Sequence, residues 1–297
     1  MEPFHAGERG VQRRMGRTHT ADRVARTIRP DIPAVAAGFL AAQRLVILAG
    51  ADTAGRMWAS DLVGPPGFVR AVDERTIVVD ARPASVDPLG DMARRPARVG
   101  MIVVQPSRRR RMRANGRSTP DGRGLRIVTD QVYSNCPKYI SRREIVSYTP
   151  EAVSRVVRRG SELDAPQRAA LAAADTFFVA TADTDGNADA SHRGGNPGFL
   201  QVLSPTRLRW PEYRGNSMFM TLGNIEVNPS CGILALDWSN GTSLQLTGVA
   251  ETVWAPEAST EGGLCYLDFT IDAVIEWQGG PLRWGPAELS PVNPDIR

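Results

Sequence analysis

The residues Ser191-His192-Arg193-Gly194-Gly195-Asn196-Pro197-Gly198 carry the densest chemistry in the chain. On a strand, side chains alternate, so Ser191 and Arg193 share one face and His192 takes the other. A guanidinium and a hydroxyl two residues apart make a grip for phosphate: Arg offers a rigid fork of charged donors, Ser a neutral one. Gly194 and Gly195 let a ligand approach the backbone closely. The same residues have a second reading, in which Arg193 pairs with a neighbouring carboxylate and the glycines serve only a bend. His192 is a candidate proton donor if it reaches a ligand, and a packed strand residue otherwise.

A second candidate follows in Trp210-Pro-Glu-Tyr213-Arg-Gly-Asn216-Ser217-Met-Phe-Met-Thr221-Leu-Gly-Asn224. It reads as a strand end, a turn and a helix from about Ser217 to Val227 with Asn216 as N-cap. Free N–H groups at a helix start attract anions, so Asn216, Ser217 and Thr221 can complete a pocket begun by Arg193. An ordinary cap with Met218, Phe219 and Leu222 packed inward is equally compatible. The third candidate is the run Arg108-Arg-Arg-Arg-Met-Arg113. Clustered arginine is the electrostatic footprint of phosphate binding, but a solvated strand edge is its commonest meaning. On a strand Arg109, Arg111 and Arg113 face one way.

The elements that hold these residues are duplicated. Nine of the eighteen positions from Asp52 to Val69 recur 131 residues later in Asp183 to Leu200. Unrelated segments of ordinary composition share about one or two. Each copy reads as strand, tight turn, strand, Pro-Gly corner, two strands, a short helix and two more strands, the pattern of a small antiparallel barrel. Expected boundaries are an N-terminal arm over 1–30, a first barrel over 31–148, a helical linker over 149–175, a second barrel over 176–280 and an extended tail over 281–297. In this alignment Ser60, Asp61 and Leu62 stand where Ser191, His192 and Arg193 stand, so the first copy lacks the arginine. Arg111 and Arg113 stand opposite Ser243 and Gln245. A pseudo-two-fold between the copies would present these residues to each other's ligand face, and the copy without an Arg193 equivalent has arginines to offer across the interface.

Composition narrows the class. The chain has 297 residues, 42% hydrophobic, with a net charge of +4, room for two domains and too little charge for a dedicated nucleic-acid binder. Lys138 is the sole lysine. Three widely spaced cysteines without a CxxC pair point to a reducing, cytoplasmic setting rather than a disulfide framework. Three histidines without HxxxH spacing argue against a zinc site. No apolar run reaches the ~18 residues of a membrane span, and no GxGxxG follows a strand.

The ordered motifs ASHRGGNPGF, WPEYRGNSMFMTLGN, NPSCGILALDW and LQLTG resemble the pyridoxamine 5'-phosphate oxidase-like superfamily of FMN-binding split barrels. Phe4-His-Ala-Gly-Glu8 and Asn135-Cys-Pro-Lys-Tyr-Ile140 resemble its tandem-barrel bacterial subgroup. The resemblance implies a mainly β protein with two Greek-key split barrels, short helices, and one asymmetric flavin site in the groove between the barrels. It places the phosphate-binding strand on Ser191 to Asn196 and a second phosphate element on Tyr213 to Thr221. It places the strand facing the flavin ring on Ser243 and Gln245, or on Arg111 and Arg113. FMN is the expected cofactor, with the deazaflavin F420 or a haem as alternatives. A small-molecule substrate and a diffusing reductant are the expected partners, with a homodimer possible, and a non-enzymatic carrier or interaction module is the competing class. The residues matched to the phosphate element and the absence of pyridoxal-binding residues argue against pyridoxamine phosphate oxidation itself. Tyr139 and Lys138 are read either as a cover for the groove or as a simple linker.

Overall fold

The fold is given by a computed structural model that describes residues 2–254 and 263–295. Met1, residues 296–297 and residues 255–262, parts of the expected arm, tail and second barrel, lie outside them. Three short helices open the chain: α1 (Ala6–Arg14), α2 (Thr18–Ala25) and α3 (Ala34–Ala41). The first sheet contains β1 (Leu45–Ala51), β2 (Met57–Val63), β3 (Val69–Ala71), β4 (Thr76–Val79), β5 (Ala97–Gln105), β6 (Arg110–Asp121) and β7 (Gly124–Ser134). A connecting segment carries β8 (Ile145–Tyr148), β9 (Arg155–Gly160) and α4 (Ala165–Ala173). The second sheet contains β10 (Thr176–Ala182), β11 (Ala188–Gly194), β12 (Gln201–Ser204), β13 (Arg207–Tyr213), β14 (Ser230–Leu236), β15 (Ser243–Val253) and β16 (Gly263–Gln278). Helix α5 (Met220–Val227) lies between β13 and β14, and β17 (Leu282–Trp284) follows.

The strand orders are β2-β1-β5-β6-β7-β4-β3 and β11-β10-β14-β15-β16-β13-β12. They are the same path, so the molecule is mainly β with two split barrels in tandem. Three strands follow the helical element in each barrel, one more than the sequence pattern suggests. The register is equivalent as well: Arg113 pairs with Ile102 as Gln245 pairs with Leu234.

Strands β1 and β10 read as unbroken apolar runs because both faces are buried. Val46 and Leu48 enter the first barrel's core, and Phe177 and Val179 the second's. Their alternate residues, Leu45, Ile47 and Ala49 with Phe178, Ala180 and Ala182, meet in a third core between the barrels. Across that core β2 packs on β14 and β15, while β11 packs on β5 and β6, the reciprocal pattern of a pseudo-two-fold. Two glycines set the spacing. A Cβ on Gly100 would lie 2.6 Å from the Asp189 and Ala190 backbone, and one on Gly232 2.6 Å from the Met57 carbonyl oxygen.

The connecting segment departs from expectation. Only Ala165–Ala173 is helical, started by an Asp164–Gln167 capping box with a proline in its first turn. Upstream, β9 joins the long β16, because β16 extends past β13 and leaves an edge on that side that Val156 and its neighbours complete. The tail is pinned by β17, which pairs with β8.

A candidate anion and flavin cavity between the barrels

One cavity at the barrel interface gathers Arg111, Arg113, Asn135, Cys136 and Tyr139 from the first half with His192, Arg193, Glu212, Asn216 and Thr221 from the second. Its volume is about 80 Å³. Strand β11 supplies the floor. Ser191 is fully buried and accepts a 3.1 Å hydrogen bond from Thr221 Oγ1, tying the floor to the first turn of α5.

The loop before α5 is shaped by unusual backbone. Ser217 (φ 65°) and Phe219 (φ 57°) are left-handed, as is Tyr139 (φ 66°) across the cavity; with Arg109 they are the four non-glycine residues in that region among the described ones. Such conformations cost of order 1–3 kcal/mol each and cluster at ligand sites. Asn216 does not cap the helix; its Oδ1 accepts from Met218 N at 3.1 Å and α5 starts at Met220. Met218 and Met220 are buried, and burying them draws the chain into one further turn before helical geometry begins.

Charge is distributed unevenly among the three arginines. Arg113 donates to Asp189 Oδ2 at 2.8 Å, and Asp189 also accepts from Asn115 Nδ2 and Tyr133 Oη, both at 3.1 Å. Burial opposes the Arg113 charge, but Asp189 more than offsets it and holds the pKa above the ordinary range. Arg193 is paired with Glu212, as the second reading of its motif has it. Arg111 has no carboxylate partner among the described residues; its Nη1 meets His192 Nδ1 at 2.8 Å. Burial and the neighbouring Arg113 push its pKa down to about 9. Burial and Arg111 hold His192 well below 6.5, so the imidazole is neutral and accepts from Arg111. The Nε atoms of Arg111, Arg113 and Arg193 and the Oδ1 of Asn135 are buried without hydrogen-bond partners among the described residues. Three guanidiniums against two carboxylates leave the cavity positive.

The pseudo-equivalent groove is built differently. Ser60 Oγ donates to Asp87 at 2.7 Å, and the Gln245 amide nitrogen donates to Ala59 O, Ser60 Oγ and Asp87 Oδ2 at 2.8–3.1 Å. Its oxygen accepts from Trp277 Nε1 at 2.6 Å. Asp61 sits beside this network, its pKa pushed up to about 6 by burial and by Asp87. A closed, acidic network is unsuited to phosphate.

Of the residues the sequence singles out, Arg111, Arg113, His192, Arg193, Tyr213, Asn216 and Thr221 line the arginine cavity, with Ser191 behind Thr221 and Ser217 in the left-handed loop. Ser243 and Gln245 are not there. Strand β15 faces β2, so its residues point at the other groove, whereas β6 faces β11. Asn196 is also elsewhere: its amide donates to Pro294 O and its Oδ1 accepts from Asn293. A Cβ on Gly194 would lie 1.9 Å from Tyr139 O, so that glycine admits backbone rather than ligand. The arginine run is no solvated edge, since β6 lies between β5 and β7; Arg109 leaves the strand and reaches Ile140 O and Glu288. Tyr139 covers the cavity, its hydroxyl donating to Arg214 O at 2.9 Å, while Lys138 is exposed. Sequence reasoning missed Glu212, Asp189, Asn135 and Cys136. The Asn-Cys-Pro-Lys-Tyr-Ile motif was the available signal for the last two.

Residues 163–264 match the family model described as pyridoxamine 5'-phosphate oxidase. The match covers most of the second barrel and supports the resemblance to the pyridoxamine 5'-phosphate oxidase-like split-barrel superfamily. Among solved structures it is similar to a putative pyridoxamine 5'-phosphate oxidase from Lactobacillus delbrueckii (20% identity, 40% of this chain and 98% of that one, TM-score 0.33). It is also similar to HupZ of Group A Streptococcus (16%, 37% and 90%, TM-score 0.32). An FAD-binding protein from Mesorhizobium loti is a further likeness (12%, 42% and 98%, TM-score 0.29). No curated protein matches the chain.

Proposed function

We propose that this chain is a flavin-dependent oxidoreductase with one cofactor site, the arginine cavity. The observation that carries the reading is the convergence there of Arg111, Arg113 and Arg193, each with an unsatisfied buried Nε. Uncompensated buried donors are costly unless a ligand meets them. A phosphate monoester brings about −1.5 to −2 charges at neutral pH, which suits an excess of one cation beside the first N–H groups of α5. The cavity of about 80 Å³ takes a phosphate-sized group and is smaller than the ~300–1,000 Å³ of typical ligand sites, so the ring of a flavin would lie outside it, at its open mouth.

A bound flavin would supply hydride and single-electron chemistry at its ring. The protein's residues bind, orient and tune. Arg193, held by Glu212, and Asn216 to Thr221 grip phosphate. Arg111 and Arg113 place positive charge where a reduced, anionic ring would develop negative charge. Asn135 Oδ1 offers an acceptor to a ring N–H. His192, neutral and bonded to Arg111, orients that guanidinium rather than donating a proton. Reducing equivalents would come from a diffusing reductant. FMN suits the phosphate grip; F420, which also carries phosphate, is the alternative.

Titration of flavin-free protein with FMN and with F420, followed by fluorescence, tests the assignment. FMN is expected to bind, and Arg193→Ala to weaken it by about 1.5–3 kcal/mol, the worth of a charge-assisted hydrogen bond. Unchanged affinity in a folded Arg193→Ala protein removes Arg193 from the site, and tighter F420 binding transfers the site to the deazaflavin.

A further inference from the structure

A second cavity of about 580 Å³ adjoins the first, and Arg111 and Asn135 line both. It lies between α3 and the β6–β7 hairpin. One side is apolar, built from Phe39, Val35, Met112 and Val132; Met112 and Val132 are buried. The other side is cationic: Arg29, Arg109, Arg110 and Arg111 line it, and no Asp or Glu does. Of these four, only Arg109 has a carboxylate partner among the described residues, the exposed Glu288. Arg110 lies over the Phe39 ring, 5.2 Å from its centroid, so cationic and apolar surfaces meet in one wall. Asn135 Oδ1 and Arg111 Nε are buried and unpartnered on the shared side.

A volume of this size fits a small organic molecule. Apolar walls reward its carbon skeleton, and guanidiniums without a carboxylate partner, Arg110 held by Gln105 Oε1 and Arg111 by His192, reward a planar carboxylate, which takes two parallel N–H bonds from one fork. A cation would meet only like charge, and a neutral apolar molecule would leave the excess positive charge uncompensated. We propose that this pocket binds a small amphipathic carboxylic acid, aromatic or aliphatic, as the substrate that meets the cofactor across Arg111 and Asn135. The assignment of the occupant as substrate rests on the flavin reading above; the pocket and its charge do not.

The test is calorimetric titration of the full chain, with and without FMN, using 2-naphthoate and its neutral counterpart 2-naphthalenemethanol. Naphthoate is expected to bind at least about tenfold more tightly than the alcohol. Val35, 77% exposed, sits at the mouth, so Val35→Trp should obstruct entry without touching the core; it is expected to reduce naphthoate affinity about tenfold and to leave FMN affinity within about twofold. Arg29→Glu, at an exposed rim position, reverses one charge and is expected to weaken naphthoate but not the alcohol. Equal affinities for acid and alcohol, or naphthoate binding that neither variant changes, overturn the proposal. FMN binding without naphthoate binding overturns it alone. Naphthoate binding without FMN binding supports the pocket and overturns the flavin reading.

Discussion

At the scale of residues, the arginine that matters most is the one without a carboxylate. Arg193 and Arg113 each have an acidic partner, part-buried Glu212 and buried Asp189, and pairing of that kind keeps a guanidinium charged and oriented. Arg111 has only the neutral His192. A buried charge without a counter-charge destabilises the folded state, and stability and function commonly conflict where a site must wait for its ligand. Arg111→Met keeps an unbranched apolar stem and removes the guanidinium and its charge. It is expected to raise the stability of flavin-free protein at pH 7 by about 1–3 kcal/mol, read as a higher melting temperature, while weakening FMN binding about tenfold or more. Loss of stability together with unchanged FMN affinity would show Arg111 to be a structural residue. The sequence showed this arginine and its face, because strand alternation is a local rule. It did not show that Glu212 would hold Arg193, or Asp189 hold Arg113, since those partners lie 19 and 76 residues away in the chain and meet only through the barrels' closure.

At the scale of elements, helix α1 acts on the cavity from a distance. A Cβ on Gly7 would lie 2.2 Å from Gly223 O, and one on Gly223 about 2.5 Å from Glu8 backbone; the two helices meet backbone to backbone. His5 Nε2 lies 2.8 Å from Asn224 Oδ1, and Gln12 Nε2 donates to Met218 O at 3.0 Å, so α1 braces the left-handed loop. Glu8 closes the α1 capping box, and its pKa is pushed up from 4.5 to about 8, chiefly by burial, with Asp189 and Asp183 adding to it and the His5 N–H opposing. Between those two values the folded chain keeps a proton that the unfolded chain has released, so stability falls as pH rises through that window and levels off above it. Thermal melts from pH 5 to 9 are expected to show that fall in the wild type and a flatter profile in Glu8→Gln; identical slopes would contradict it. Gly223→Ala, which forces the helices apart, is expected to cost about 1–3 kcal/mol by the same melts. Of these elements the strands were legible from alternation and Gly punctuation. The start of α5 was not, because its first turn is distorted by the burial of Met218 and Met220 rather than by a local cap signal. The Phe4-His-Ala-Gly-Glu8 motif was visible as a motif, but its bracing role depends on packing against α5, more than 200 residues away.

At the scale of the whole molecule, a duplicated barrel has produced two grooves of opposite character. The duplication was plain in the Asp52 and Asp183 segments, because turn residues such as Asp, Gly and Pro are demanded by backbone geometry in both copies. Which strand faces which groove was not legible: equivalent positions on β6 and β15 look alike until the pseudo-two-fold sends β6 to β11 and β15 to β2. That crossing joins Arg111 and Arg113 to Arg193 and commits Gln245 to Ser60, Asp87 and Trp277. The central claim, one flavin site per chain and only in the arginine cavity, is tested most directly by the stoichiometry of FMN binding to the flavin-free full chain, measured by absorbance with protein concentration fixed well above the dissociation constant. A break at one FMN per chain is expected. A break at two, or no binding at all, would contradict it.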